Sequence, residues 1–172
     1  MSENREVLFP KVCRYARETA RWSSIAAVLE WDDRTMMPSA GAEHRAEQVA
    51  LLSAFVHRRW IDPEFGQWLD TLAEGPQAFE PETDAAVTIR RRHRDRQKAV
   101  KLPTSLVEEL SRTAVLGQQV WQTARKDNNF SAFRPILEKT IRLKRQQADA
   151  LGFPAGWPRV IAHPGLPQTR TC

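Results

Sequence analysis

The sequence predicts an all-α protein of about six helices joined by short loops, and three observations carry that prediction. Apolar residues recur at alternating steps of three and four along nearly the whole chain. No run of period-two alternation competes with them, and no internal repeat at a fixed period is present. Breakers such as Gly75-Pro76, Lys101-Leu102-Pro103 and Gly152 fall between the periodic stretches. A chain of 172 residues has the length of one ordinary domain. It can bury roughly 70% of the surface its unfolded form exposes.

The first helix carries Leu8, Val12, Tyr15, Thr19, Trp22, Ala26 and Leu29 as one stripe, with Pro10 in its first turn, where a missing N–H costs little. That stripe ends at Trp31-Asp32-Asp33, and Met36 to Gly41 reads as a loop. A second helix runs from about Ala42 to Trp60, with Ala46, Val49, Ser53, Val56 and Trp60 inward. Asp62-Pro63-Glu64 then supplies a capping aspartate, a proline at the first helical position and an acid facing the positive helix end. Phe65, Trp68, Leu69 and Leu72 give the apolar face of this short third helix.

Residues 82–100 form a fourth helix with a thin apolar face of Ala85, Ile89 and Ala99. The fifth follows from Pro103, with Leu106, Leu110, Ala114, Gly117, Trp121 and Ala124 on one side, and Ser105 with Glu108 is a candidate capping box. Asp127-Asn128-Asn129 interrupts. Phe133, Leu137, Ile141, Ala148 and Leu151 mark a sixth helix that stops at Gly152. Residues 153–172 differ: four prolines and no acidic residue predict an irregular tail, either disordered or foreign to the ancestral protein, as after a frameshift. The expected division is therefore 1–152 and 153–172.

Apolar residues at 41%, charged residues at 27% and only 7 glycines exclude collagen-like, low-complexity and wholly disordered chains. No stretch approaches the ~18 uninterrupted apolar residues of a membrane span, and the first residues do not read as a secretory leader. Two cysteines, Cys13 and Cys172, make neither a disulfide framework nor a zinc site, so a reducing cytoplasm is expected. The net charge of +5 is concentrated: the segment from Arg90 to Lys101 alone carries +6. The reading adopted is a solvated face, with nucleic acid or an anionic partner as alternatives.

Spacing alone yields no active site. The histidines are His44, His57, His93 and His163, and no H-E-x-x-H exists. His44 and Glu47, three apart and so on one helix face, come nearest to a metal pair, but a carboxylate-bridged site wants a second copy and the chain has none. Their default reading is a solvated charged face. Asp32 and Asp33 lie near a helix C-terminus, where the dipole disfavours anions. They are either a salt-bridged or functional pair, or part of the turn through Met36–Gly41. The six tryptophans fall mostly at stripe positions and read as core.

One long segment adds more. Leu29-Glu30-Trp31-Asp32-Asp33-Arg34-Thr35-Met36-Met37-Pro38, followed by Gly41-Ala42-Glu43-His44-Arg45-Ala46-Glu47-Gln48, resembles the N-terminal region of the carboxypeptidase Taq family, with its L-E-W-D-x-x-T-M-M-P and G-A-x-x-R-A-E-Q. Ala50 to Ser53 with His57, Lys101-Leu102-Pro103 with Leu106-Val107, Trp121 to Arg125, Phe130 to Phe133 and Pro135 to Glu138 continue it in order. The resemblance spans about residues 6–152 and implies the N-terminal helical part of a larger α-helical metallopeptidase.

Members of that family are cytosolic zinc carboxypeptidases, often dimeric, that remove single residues from peptide C-termini. In them the glutamate of H-E-x-x-H activates a metal-bound water. The resemblance also implies that this motif lies beyond the matched region. His163-Pro164-Gly165 is no substitute for it. No catalytic, cofactor-binding or metal-binding residue is therefore assigned to this chain, and no cofactor is expected in it. Peptide substrates, zinc or another divalent metal, and a homodimer belong to the full-length family. The expectation is an N-terminal fragment, inactive alone, that in the family helps wall the substrate cleft. Its rivals are a stand-alone helical interaction module and a nucleic-acid binder using the Arg90–Lys101 stripe.

Overall fold

A computed structural model describes residues 4–74 and 79–152. Among them are six α-helices and no strand: α1 (Arg5–Thr35), α2 (Ala42–Trp60), α3 (Pro63–Ala73), α4 (Asp84–Ala99), α5 (Thr104–Lys126) and α6 (Phe130–Leu151). A single 3₁₀ turn, Ser39–Gly41, joins α1 to α2. The predicted tail and Gly75-Pro76 lie outside the described residues.

Most ends follow the local chemistry. Asn4, Asp62, Thr83 and Asn129 each cap a helix by accepting a backbone N–H with the side chain. The Thr83 cap starts α4 two residues later than the periodicity suggests. Asn128, at φ 48°, and Gly152, at φ 79°, take the left-handed backbone that closes α5 and follows α6. Helix α1 ends at Thr35, where the expected loop from Met36 begins. One expectation fails: Ser105–Glu108 forms no capping box because α5 already begins at Thr104, with Pro103 as its cap.

The helices pack in two groups. Leu8 and Val12 of α1, Phe65, Leu69 and Leu72 of α3 and Ile89 of α4 form one apolar core. Tyr15 stacks on Phe65 with centroids 4.7 Å apart, and Trp60 and Trp68 meet the same ring edge-on. In the second group α2 lies between α1 and α5, and α6 covers the other side of α5. The buried residues of α2 are Ala46, Ala50, Ala54 and His57, whereas the expected Val49, Ser53, Val56 and Trp60 are only half-buried. Small side chains let two helices approach α2 closely, so its buried line is the alanine row.

Helix α5 shows a larger correction. Leu106 and Ala124 are buried as expected, but Ala114 and Trp121 are exposed while Thr113 and Val115 are buried. On α6, Leu143 is buried and Ile141 is exposed. Of the tryptophans described, Trp60 and Trp68 pack against the core, whereas Trp22, Trp31 and Trp121 are exposed.

Candidate functional site

The longest motif folds into a corner where α1 ends and α2 begins. The backbone N–H groups of Met36 and Met37 both donate to the carbonyl of Asp32 at 2.9 Å, and Pro38 prevents the helix from continuing. Gly41 N–H closes the next turn on the Pro38 carbonyl at 2.8 Å. Here glycine serves close approach: a Cβ would stand 3.2 Å from Cγ of Met37.

Arg45 of α2 holds this corner. One guanidinium nitrogen, Nη2, pairs with Asp32 Oδ2 at 2.6 Å. Nη1 donates to the Leu29 carbonyl at 2.8 Å, and Nε donates to Gln48 Oε1 at 3.0 Å. An anion near a helix C-terminus is unfavourable, and this cation compensates it. Asp32 is thus both salt-bridged and part of the turn, so the two readings of the aspartates combine. Asp33 is buried and points to α5, where Gln119 Nε2 donates to its Oδ1 at 3.3 Å. The adjacent aspartates tie α1 to two different helices.

Glu47, three residues from His44, lies on an exposed charged face, as expected, and is ion-paired there. Arg112 of α5 donates to both its oxygens, from Nε at 2.6 Å and Nη2 at 3.0 Å. Arg112 also reaches Glu109 at 2.6 Å and Glu108 at 3.0 Å, and Lys139 of α6 pairs with Glu109 at 2.5 Å. Hydrogen bonds from Arg112 hold Glu47 below the usual carboxylate range, and those from Lys139 and Arg112 do the same for Glu109. This network ties α2, α5 and α6 together, and His44 stands exposed beside it.

The remaining histidines within the described residues are also engaged. His57 is 7% exposed, with Nε2 3.1 Å from the Ala99 carbonyl and Nδ1 3.0 Å from Thr104 Oγ1. His93 Nε2 lies 2.9 Å from Asp70 Oδ1. His163 is outside the described residues. No group of three or more histidine, cysteine, aspartate or glutamate residues converges among those described. Among the described residues a divalent metal of the kind the resemblance implies finds no fitting donor set: Glu47 bonds arginine, His57 a hydroxyl and a carbonyl, and His93 a carboxylate, and no third donor joins His44 and Glu47.

Most of the basic stripe is exposed, as a solvated face, and four of its seven cations also make contacts within the fold. Arg90 donates to the Pro81 carbonyl at 2.7 Å, and the Arg92 guanidinium lies 5.4 Å above the Trp60 ring. Arg96 lies across Gly66, where any Cβ would overlap its guanidinium, and donates to the Asp62 carbonyl at 3.3 Å. Lys101 reaches the Leu151 carbonyl at 3.1 Å. An open cleft of about 440 Å³ between α5 and α6 is lined by Pro103, Leu106, Leu143 and Ala150. Glu109, its ionisable group, is already paired.

Sequence reasoning names His57 without a structural role and passes over Arg112. The burial of His57 has a signal, because it continues the alanine row of α2 at helical spacing. Arg112 shows no signal in one dimension, since its partners come from two helices.

Fold and motif together define a helical scaffold whose longest motif joins α1 to α2 and α5. The chain belongs to the carboxypeptidase Taq (M32) metallopeptidase family, whose model matches residues 11–156. It is 34% identical over 146 residues to thermostable carboxypeptidase 1 of Thermus thermophilus, covering 85% of this chain and 29% of that relative. The crystal structure of M32 carboxypeptidase from Deinococcus radiodurans R1 superposes with a TM-score of 0.64 at 31% identity, over 84% of this chain and 28% of that one. The BsuCP crystal structure has the same fold, with a TM-score of 0.79 at 21% identity, over 86% of this chain and 29% of that one. The chain therefore spans just over a quarter of the length of the carboxypeptidases it matches. No helix among the described residues is long and apolar enough to cross a membrane.

Proposed function

We propose that this chain is the N-terminal helical part of a zinc-dependent metallocarboxypeptidase fold and is catalytically silent by itself. One observation carries the reading: the match takes in 85% of this chain but 29% of the Thermus relative. The histidines support it, since the sequence holds no H-E-x-x-H and the described ones are exposed or bonded elsewhere. In this reading the chain supplies part of the wall of a peptide cleft. The metal, the attacking water and the contacts to a peptide C-terminus reside in the remaining part of the fold, and a homodimer belongs to the full-length protein. A cytoplasmic setting belongs to the same reading, supported by the free thiol of Cys13. So does the division near Gly152: the family match ends at 156, and the acid-free, proline-rich residues lie almost wholly beyond it.

The test is equilibrium dialysis of the full chain against zinc, with bound metal measured after removal of free ion. The expected result is less than a tenth of an equivalent retained. One equivalent, released by a chelator together with loss of structure, would overturn the reading.

A further inference from the structure

Helix α1 is built differently in its two halves. The first half buries Leu8, Val12 and Ala16 in the ordinary way. From Thr19 onward, the residues of α1 that the chain buries are Thr19 and Asp33, both polar. The large apolar residues of that half point outward: Ile25 is 44% exposed, Val28 64% and Trp31 61%. Trp22 is 38% exposed although it meets Phe55 of α2 edge-on at 5.1 Å. Leu51, one turn before Phe55 on the same face of α2, is 68% exposed. Between Arg21 and Asp32 the only charged residue is Glu30. A helix apolar on faces its own chain leaves open is one that a further body covers, because water does not favour a continuous apolar strip.

We propose that the strip formed by Trp22, Ile25, Val28 and Trp31, with Leu51 beside it, is the docking surface for the rest of a carboxypeptidase Taq-type fold. This inference rests on the reading above. The occupant follows from two quantities. The matched relatives carry about seven tenths of their length outside the match, so a much larger body must meet this part of the fold. A ten-residue helical strip is about 15 Å long and offers on the order of a few hundred Å². That is well short of the roughly 800 Å² per partner of a stable dimer, so a second copy is the poorer fit. One edge of an extensive contact with a larger body matches the strip's size and its lack of charge.

The experiment uses a chimera in which the 146 matched residues of the Thermus carboxypeptidase are replaced by those of this chain. The double variant I25D/V28D is placed both in the full 172-residue chain and in the chimera. In the full chain it leaves the thermal midpoint within about 2 °C, because both side chains face water. In the chimera it lowers the midpoint by at least about 5 °C, because both charges are then buried. Equal shifts in the two contexts would overturn the docking surface.

As a control inside the chimera, Val87→Asp on the charged helix α4, a site 51% exposed, is expected to be neutral. A Val87→Asp loss as large as that of the strip would also overturn the inference. A soluble chimera that melts cooperatively keeps the reading of this chain as part of such a fold whatever the variants do. A chimera that fails to fold with its unaltered strip would overturn that reading and the docking surface with it, while family membership stands on its own match.

Discussion

His57 spends both ring nitrogens inside the protein. Nε2 faces a carbonyl, which can only accept, so Nε2 carries the proton and Nδ1 accepts from the Thr104 hydroxyl. Burial is the main cause that pushes its pKa below the ordinary 6.5; the Ala99 carbonyl partly opposes this, and Arg58 adds to it. A histidine kept neutral in the fold binds its proton first in the unfolded chain. Stability is therefore full above about 6.5 and is lost as pH falls below it. The urea midpoint should drop between about pH 7.5 and about pH 5.5, and His57→Gln should flatten that drop. The lowered carboxylates Glu47 and Glu109 add nothing in this window, because they titrate below 4.5. An equal drop in the variant would show that His57 is not the group.

Gly66 is a second residue whose role lies in what it leaves out. In the native background Gly66→Ala should destabilise, because its Cβ displaces the Arg96 guanidinium from the Asp62 carbonyl. Once Arg96 is replaced by alanine, the same change should stabilise by about 1 kcal/mol, the helix preference of alanine over glycine. Chemical denaturation of the native chain and the three variants in this cycle checks the change of sign.

At the scale of elements, the caps were legible because their chemistry is local. Asp62 accepts the Phe65 N–H at 2.9 Å, as the Asp-Pro-Glu signal indicates, and Asp62→Ala should cost about 1 kcal/mol in a urea melt. What one dimension does not show is how many neighbours a helix has. Helix α5 packs against α2 on one side and α6 on another, so its buried arc is wider than a single stripe and takes in Thr113. Helix α2 lies between two partners and turns its alanine row to them, shifting the buried line by one residue from the valines. The Arg112 network is the polar counterpart of that packing. Replacing Arg112 with methionine should lower the melting temperature by more at low ionic strength than above about 0.5 M salt, where exposed carboxylates are screened. A salt-independent loss would mean that Arg112 acts through packing alone.

For the whole molecule, the helical class and the family were both readable, the first from periodicity and the second from one long ordered motif. The corner made by that motif was not readable as a corner. Asp32 and Asp33 are neighbours in sequence, yet one serves α2 and the other α5, which only the folded chain reveals. The tryptophans misled for a related reason. Trp22 and Trp31 have the chemistry of core residues, and on this account their core is completed by a body of which this chain is just over a quarter. The most direct measurement incubates the full chain with zinc and a peptide of defined sequence and follows the C-terminus by mass spectrometry. The account predicts an unchanged peptide after prolonged incubation, while the intact Thermus carboxypeptidase shortens it under the same conditions. Stepwise loss of C-terminal residues by this chain, stopped by a chelator, would contradict it.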